Sequence, residues 1–350
     1  MKIVSHSIAE LMAIRHGFYQ AANPKIWTVG TDFVESYSNR IKNINSSNNF
    51  GYVSVNSKDK LLGAVFGKII DPPGVYNPGV TCLIEDFAVG NDCDWHTVAP
   101  KMLQRILSDF PNSQIKQFVF ITPVAYVGQQ NFFQSIGIYN CSQWWTGKID
   151  PINHSTVQKL QSQNLEDAVE LSHVKRLKYS KIAPVFWKMA SDSDNVQKEF
   201  FASMIDTNSE NSIRYIPLVF HKNPKEKSIT GLIIGEHHKV PDFLGGSDIC
   251  KVDDFVVQNE DNSRQWSKVG KPLLEALSFQ VGSDMQFKIV SGSHDTAKLT
   301  LLKSFGLCHS INWWTTPAYN NLNKPFFSSH CEDPTSKDIE ILPMGEILDY

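Results

Sequence analysis

The chain lacks the features that mark several large classes of protein. No apolar run approaches the ~18 residues of a membrane-spanning helix, and mean hydropathy is −0.24. The 6 cysteines are too sparse for a disulfide scaffold, and no two stand at C-x-x-C spacing, so a cysteine-built zinc site is not expected. Lys and Arg total 33 against 36 Asp and Glu, a net charge of −3. That near balance excludes the usual strongly basic nucleic-acid binder, and argues against long disordered tracts. The motifs G-x-x-x-x-G-K-[ST], H-E-x-x-H and G-x-S-x-G are absent. The start, Met1-Lys2-Ile3-Val4-Ser5-His6-Ser7, runs into a mixed amphipathic stretch and not a signal-peptide apolar block. The expectation is a soluble, cytoplasmic protein with no membrane, nucleic acid or metal as partner.

What the chain does have is apolar residues enough for two cores, 41% hydrophobic over 350 residues, and an internal repeat. Cys82-Leu83-Ile84-Glu85-Asp86-Phe87-Ala88-Val89 matches Cys250-Lys251-Val252-Asp253-Asp254-Phe255-Val256-Val257, 168 residues later. Trp95 answers to Trp266, Val98-Ala99 to Val269-Gly270, and Leu103 to Leu274. Ser135-Ile136-Gly137-Ile138 answers to Ser304-Phe305-Gly306-Leu307, and Trp144-Trp145-Thr146 to Trp313-Trp314-Thr315. Matches in constant order at nearly constant offset imply two copies of one unit of ~170 residues, which means two domains and not a solenoid. The expected division is 1–150, 151–330, and an acidic extension at 331–350.

Each copy reads as mixed α/β. In the first, apolar spacings of three and four predict a helix over 7–22, with another over 32–41. Alternation predicts a hairpin of strands 50–55 and 61–66. After a Pro/Gly-rich loop come strand 81–89, helix 98–107, strand 117–121, helix 127–135 and a last strand with the double Trp. The second copy repeats this with helix 165–179, a hairpin over 213–220 and 228–234 turning at 223–227, strand 251–257, helix 269–277, strand 287–290 and helix 297–304. The junction after the central strand is where backbone N–H groups at a helix start can meet an anionic phosphate.

This order resembles the GCN5-related N-acetyltransferase (GNAT) superfamily in a tandem form. The resemblance rests on the central strands 82–89 and 250–257, the helix after each, and the S-x-G-[IL] pattern before the last strands. In the family a Q/R-x-x-G-x-G/A loop opens that helix and wraps the pyrophosphate of acetyl-CoA. The matching run is Gln265-Trp266-Ser267-Lys268-Val269-Gly270 in copy two, where Gln265 and Gly270 fit and Lys268 replaces a glycine. In copy one it is Asp94-Trp95-His96-Thr97-Val98-Ala99, where only Ala99 fits and Asp94 puts a carboxylate near phosphate. The resemblance therefore implies acetyl-CoA as co-substrate in copy two, held by Val256, Val257, Gln265, Lys268, Val269, Gly270 and Lys271. The family's tyrosine acid is replaced by Phe133 and Leu302.

The candidate catalytic residues are Asp253, Asp254 and His294. Strand alternation sets Asp253 and Asp254 on opposite faces. Each is open to two readings, a base or the partner of a structural Arg or Lys. His294 follows a strand C-terminus, where open α/β sheets bind ligands. His237 and His238 point to opposite faces, so a shared metal-ligand role is not expected. Two functions remain open. One is transfer of an acetyl group to an amine by the second copy. The other is a degenerate tandem GNAT that binds a protein or ligand.

Overall fold

The computed structural model describes residues 5–42, 48–72, 74–91, 93–110, 115–222, 228–316 and 339–344. In the first half, α1 (Ser5–Ala22) and α2 (Phe33–Lys42) precede β1 (Asn49–Asn56), β2 (Leu61–Ile70) and β3 (Thr81–Val89). Then come α3 (Trp95–Asp109), β4 (Gln117–Pro123), α4 (Val127–Ser135) and β5 (Tyr139–Gly147). The second half opens with β6 (Val157–Lys159), α5 (Leu165–Ile182), α6 (Ser193–Ile205) and α7 (Glu210–Arg214). It continues through β7 (Tyr215–His221), β8 (Ile229–Lys239) and β9 (Asp248–Val257) to a helix in three parts: α8 (Ser263–Gln265), a π-helical turn (Trp266–Gly270) and α9 (Lys271–Val281). Strand β10 (Gln286–Gly292), α10 (Thr296–Ser304), β11 (Cys308–Thr315) and, from the tail, β12 (Ile339–Pro343) complete it. The fold is α/β on a mixed sheet, as the sequence predicts. The helix over 193–205 is missing from that prediction. The turn expected at 223–227, and most of the acidic extension, lie outside the described residues.

All strands join one sheet in the order β12-β1-β2-β3-β4-β11-β5-β10-β9-β8-β7-β6. The order is a pseudo-two-fold palindrome, and its centre is an exchange. Strand β11, from the second half, pairs with β4 of the first. Strand β5, from the first half, pairs with β10 of the second. The outer edges match too: β6 lies on β7, and β12, from the chain's end, takes the same place on β1. The division suggested at residue 150 thus runs through a continuous sheet. The tail, expected as an extension, contributes an edge strand with Met344 2% exposed behind it.

Alternation sorts the cores. On one face α1 and α2 cover Val53, Val55, Ala64, Phe66 and Ala88, and α5 and α6 cover Val219, Leu232, Ile234 and Val256. On the other face α3 and α4 bury Phe50, Val65, Cys82 and Phe87, and α9 and α10 bury Ile233, Cys250, Phe255 and Phe287. The double tryptophans divide the same way. Trp145 enters the second half's core, Trp314 the first half's, and Trp144 meets Trp313 across the opposite face with centroids 5.2 Å apart. Each ring therefore packs, and each ties the two halves together.

Candidate functional site

Both central strands carry a β-bulge at the repeated acidic pair. In β3, Phe66 faces Asp86 and Gly67 faces Ile84, leaving Glu85 unpaired. In β9, Ile234 faces Asp254 and Gly235 faces Val252, leaving Asp253 unpaired. A bulge re-aims side chains and loosens pairing. Beyond it the parallel neighbours diverge: the β3–β4 register ends at Ile84–Phe120, and the β9–β10 register at Val252–Ile289. The splay leaves backbone carbonyls that need partners.

In the first half those partners come from α1 and α4. Arg15 Nη2 donates to Glu85 O and to Ile121 O, each at 2.8 Å, so one guanidinium spans both strands. Gln129 Nε2 donates to Phe87 O at 3.3 Å. The acid beside them is sealed. Asp86 accepts from Arg15 Nη1 at 2.5 Å and Tyr37 Oη at 2.6 Å, with His16 Nε2 at 3.0 Å. Burial alone would raise its pKa; His16 and Arg15 instead hold it far below the usual carboxylate range. Phe243, from the segment between β8 and β9, closes the site, 5.6 Å from the Tyr37 ring and 5.1 Å from the Arg40 guanidinium.

The second half repeats the plan with different charges. Lys175 of α5 donates to Asp254 Oδ1 at 2.5 Å and to Asp253 O at 3.2 Å. Lys298 of α10, at the position of Gln129, donates to Phe255 O at 3.3 Å and Val290 O at 2.9 Å. It is 1% exposed and lies 5.3 Å from the Phe255 ring. Burial, then Lys175, pushes its ammonium down to about 8. Around it stand Asp295, paired with Lys178 at 2.7 Å and with Tyr179 Oη at 2.5 Å, and Glu260, 3.9 Å from Lys178. Burial, then Asp295, pushes Glu260 up to about 7. The lid here is Tyr76, from the segment between β2 and β3, which bridges to Met189 and lies 5.1 Å from Trp187. The halves thus exchange lids as well as strands.

The expected catalytic trio divides. Asp253 is the bulge residue, half-exposed and paired with Lys251. Asp254 is half-buried against Lys175 and Ser172 Oγ, the latter at 3.2 Å, which favours the structural-partner reading. Burial would raise its pKa, but Lys175 brings it below the ordinary value. Simple alternation of the two acids is replaced by the bulge. His294 is half-buried beside the cluster, its Nδ1 2.9 Å from Ser293 Oγ. Its Nε2 is sealed without a hydrogen bond among the described residues.

The expected cofactor residues do not form a phosphate loop. The helix begins at Ser263, capped by Asn262 Oδ1 accepting from Arg264 N at 2.9 Å. Gln265–Gly270 therefore lie inside it, and Lys271 N bonds back to Trp266 O through the π-helical turn. Amides used this way cannot point at a pyrophosphate. Trp266 explains the shift: it is 1% exposed, edge-on to Phe255 at 4.9 Å, and its Nε1 donates to Glu260 O at 2.7 Å. A Cβ on Gly270 would meet Trp266 at 2.7 Å, so that glycine admits a tryptophan and not a ligand. Val256, Val257 and Val269 are core residues; Lys268 and Lys271 are exposed on the helix, with Lys271 3.8 Å from Glu275. The residues present do not fit acetyl-CoA in the family's pose.

Sequence reasoning passed over Arg15, Lys175, Gln129, Lys298, Glu260, Tyr76 and Phe243. Signals existed. Leu11, Arg15 and Tyr19 recur as Leu171, Lys175 and Tyr179, 160 residues on, and Gly63-x-x-x-Gly67 recurs as Gly231-x-x-x-Gly235. The second glycine of each pair faces the bulge, where a Cβ on Gly67 would lie 2.5 Å from Leu83 O.

No family model and no curated protein matches the chain. Solved structures are similar in shape. A GCN5-related N-acetyltransferase from Sphaerobacter thermophilus is 9% identical, with a TM-score of 0.49, over 89% of this chain and 92% of that one. A tandem GNAT protein from the clavulanic acid biosynthesis pathway, crystallised without AcCoA, is 10% identical, with a TM-score of 0.40, over 90% and 96%. A conserved protein of unknown function from Staphylococcus epidermidis is 13% identical, with a TM-score of 0.44, over 79% and 96%. The likeness is one of fold.

Proposed function

We propose that this chain, two GNAT-like units sharing one α/β sheet, is a catalytically silent binding module. One observation carries the reading. At each splay the carbonyls are bonded by the chain's own side chains, Arg15 with Gln129 in one unit and Lys175 with Lys298 in the other. An acyl thioester entering there has to displace a buried ammonium or guanidinium, leaving Asp254 or Asp86 without its counter-ion. The spent helix amides and the missing tyrosine point the same way. Among the described residues no group of three or more His, Cys, Asp or Glu could hold a metal, and no helix is long and apolar enough to cross a membrane.

The second reading, acyl transfer to an amine in the second unit, is favoured by a different observation. Glu260, His294, Asp295 and Lys298 gather where the strands part, with Glu260 at about 7 and Lys298 at about 8. Perturbed groups cluster at functional sites. Calorimetric titration with acetyl-CoA separates the two. The silent module gives no saturable heat. Saturable heat from the wild type would overturn the proposal.

A further inference from the structure

Away from both splays, a buried lysine stands without an ion pair among the described residues. Lys288, on β10, is 7% exposed. Its Nζ lies 4.3 Å from the centroid of the Trp144 ring. Among the described residues it makes no hydrogen bond and no ion pair. An ammonium taken out of water without an anion is costly, and a ring face offsets only part of that cost. Its amine is nonetheless not sealed from solvent, unlike His294 Nε2 or Trp313 Nε1.

The surroundings deepen the imbalance. Lys251 is the in-register neighbour of Lys288 on β9, on the same face. The carboxylates at hand are already engaged. Glu236 holds Arg214 and, at 3.4 Å, Lys251; Asp253 holds Lys251. Three cations thus share two carboxylates, one positive charge in excess. His238, two residues beyond Glu236 on that face of β8, is half-buried, and burial followed by Lys288 and Lys251 keeps its pKa below the ordinary value. Gln286, two residues before Lys288, is 7% exposed, and its side-chain amide also has no partner among the described residues. Burial and Lys251 push the Lys288 ammonium down to about 8. A partner anion would reverse that shift.

We propose that this sheet face binds a small oxyanion, the carboxylate or phosphate group of a ligand, with Lys288 Nζ as counter-ion, the Gln286 amide as second donor, His238 at the rim and Trp144 as wall. The inference rests on the binding-module reading in taking the anion as cargo and not as reactant. It uses no coenzyme, so its failure and the failure of that reading are told apart.

The test uses the full chain with acetate or inorganic phosphate at millimolar concentration, chloride keeping ionic strength constant. A ligand that binds only the folded state raises Tm saturably. The expected result is such a rise with at least one anion, kept in Lys159→Met at an exposed lysine and gone in Lys288→Met. Acetic anhydride labelling of the wild type, read by mass spectrometry, is expected to slow at least threefold at Lys288 and not at Lys159. Response to acetate assigns a carboxylate ligand; response to phosphate alone assigns a phosphate. No rise with either anion, or an equal rise in Lys288→Met, overturns the proposal. If Lys288→Met does not fold, unchanged labelling of Lys288 in the wild type overturns it instead.

Discussion

The two units share a backbone plan and differ in how they balance charge. In the first, a single buried carboxylate, Asp86, is matched by Arg15, His16, Arg40 and Tyr37, and an amide, Gln129, completes the splay. In the second, lysines replace the guanidinium and the amide, and carboxylates gather around them: Asp254, Glu260 and Asp295. In each unit two side chains bond the same three carbonyls, and one of the two spans both strands, Arg15 in the first and Lys298 in the second. In the second unit both are ammonium groups, and two buried ammonium groups bring acids with them. The first unit reads as a structural solution. The second keeps groups that change protonation near neutral pH.

The largest expected break in this comparison is at the central acids. Asp86→Asn leaves Arg15 buried without its anion, and the change is expected to cost about 3–5 kcal/mol. Asp254→Asn is expected to cost less, about 1–3 kcal/mol, because its partner has other acids close by. Urea unfolding followed by fluorescence measures both. Equal costs would mean that the units are not differently balanced. Next in size is the tail. Met344→Ala removes a fully buried side chain behind β12, with an expected loss of about 2–4 kcal/mol. An unchanged midpoint would remove the tail from the first unit's structure.

How far the sequence disclosed this architecture depends on what kind of signal each feature leaves. The central strands, the helices between them and the duplication were legible because apolar periodicity and repeated Trp, Gly and Asp are local marks. The strand exchange was not. β5 and β11 have the same pattern whichever half they join, and sequence alone does not say which edge a strand meets. The phosphate-loop expectation meets a sharper obstacle. Gln265 and Gly270 match a motif, but Asn262-Ser263 caps the helix earlier, and Trp266 has more surface to bury than a ligand loop can leave exposed. Arg15 and Lys298 were invisible as partners because their contacts are 70 and 43 residues away.

The third prediction concerns pH. Glu260 has its folded pKa raised from 4.5 to about 7. Between these values the folded protein holds a proton that the unfolded chain has released, so stability from this group falls as pH rises from about 4.5 to 7. Asp86 acts oppositely: its folded pKa is depressed, and its contribution is lost as pH falls below the ordinary carboxylate range. Glu260→Gln is expected to flatten the neutral limb and to stabilise the protein at pH 7 by about 1–3 kcal/mol, while leaving the acid limb to Asp86. Denaturant midpoints from about pH 2 to 8 test this. An unaltered neutral limb in the variant would place the titrating group elsewhere.

The smallest effect distinguishes the two equivalent tyrosines. Tyr19 Oη accepts one hydrogen bond, from Arg15 Nη2 at 3.1 Å, and Arg15 has three other acceptors. Tyr179 Oη donates to Asp295 at 2.5 Å and accepts from Gly292 N at 3.1 Å. It joins a charged acid on α10's threshold to the strand that ends beside it. Tyr19→Phe is expected to cost about 0.5–1 kcal/mol, because the Arg15 guanidinium keeps its three other acceptors. Tyr179→Phe is expected to cost about 1.5–3 kcal/mol, since it strips a donor from a buried carboxylate and leaves a backbone N–H unpaired. It should also raise the apparent pKa of Asp295, which Lys298, Lys178 and this hydroxyl together hold below its ordinary value against burial. The two variants keep shape and volume nearly constant, so a difference between them isolates charge from packing. If both cost the same, the second unit's cluster is no more than a buried ion pair, and the contrast between the halves loses its chemical meaning.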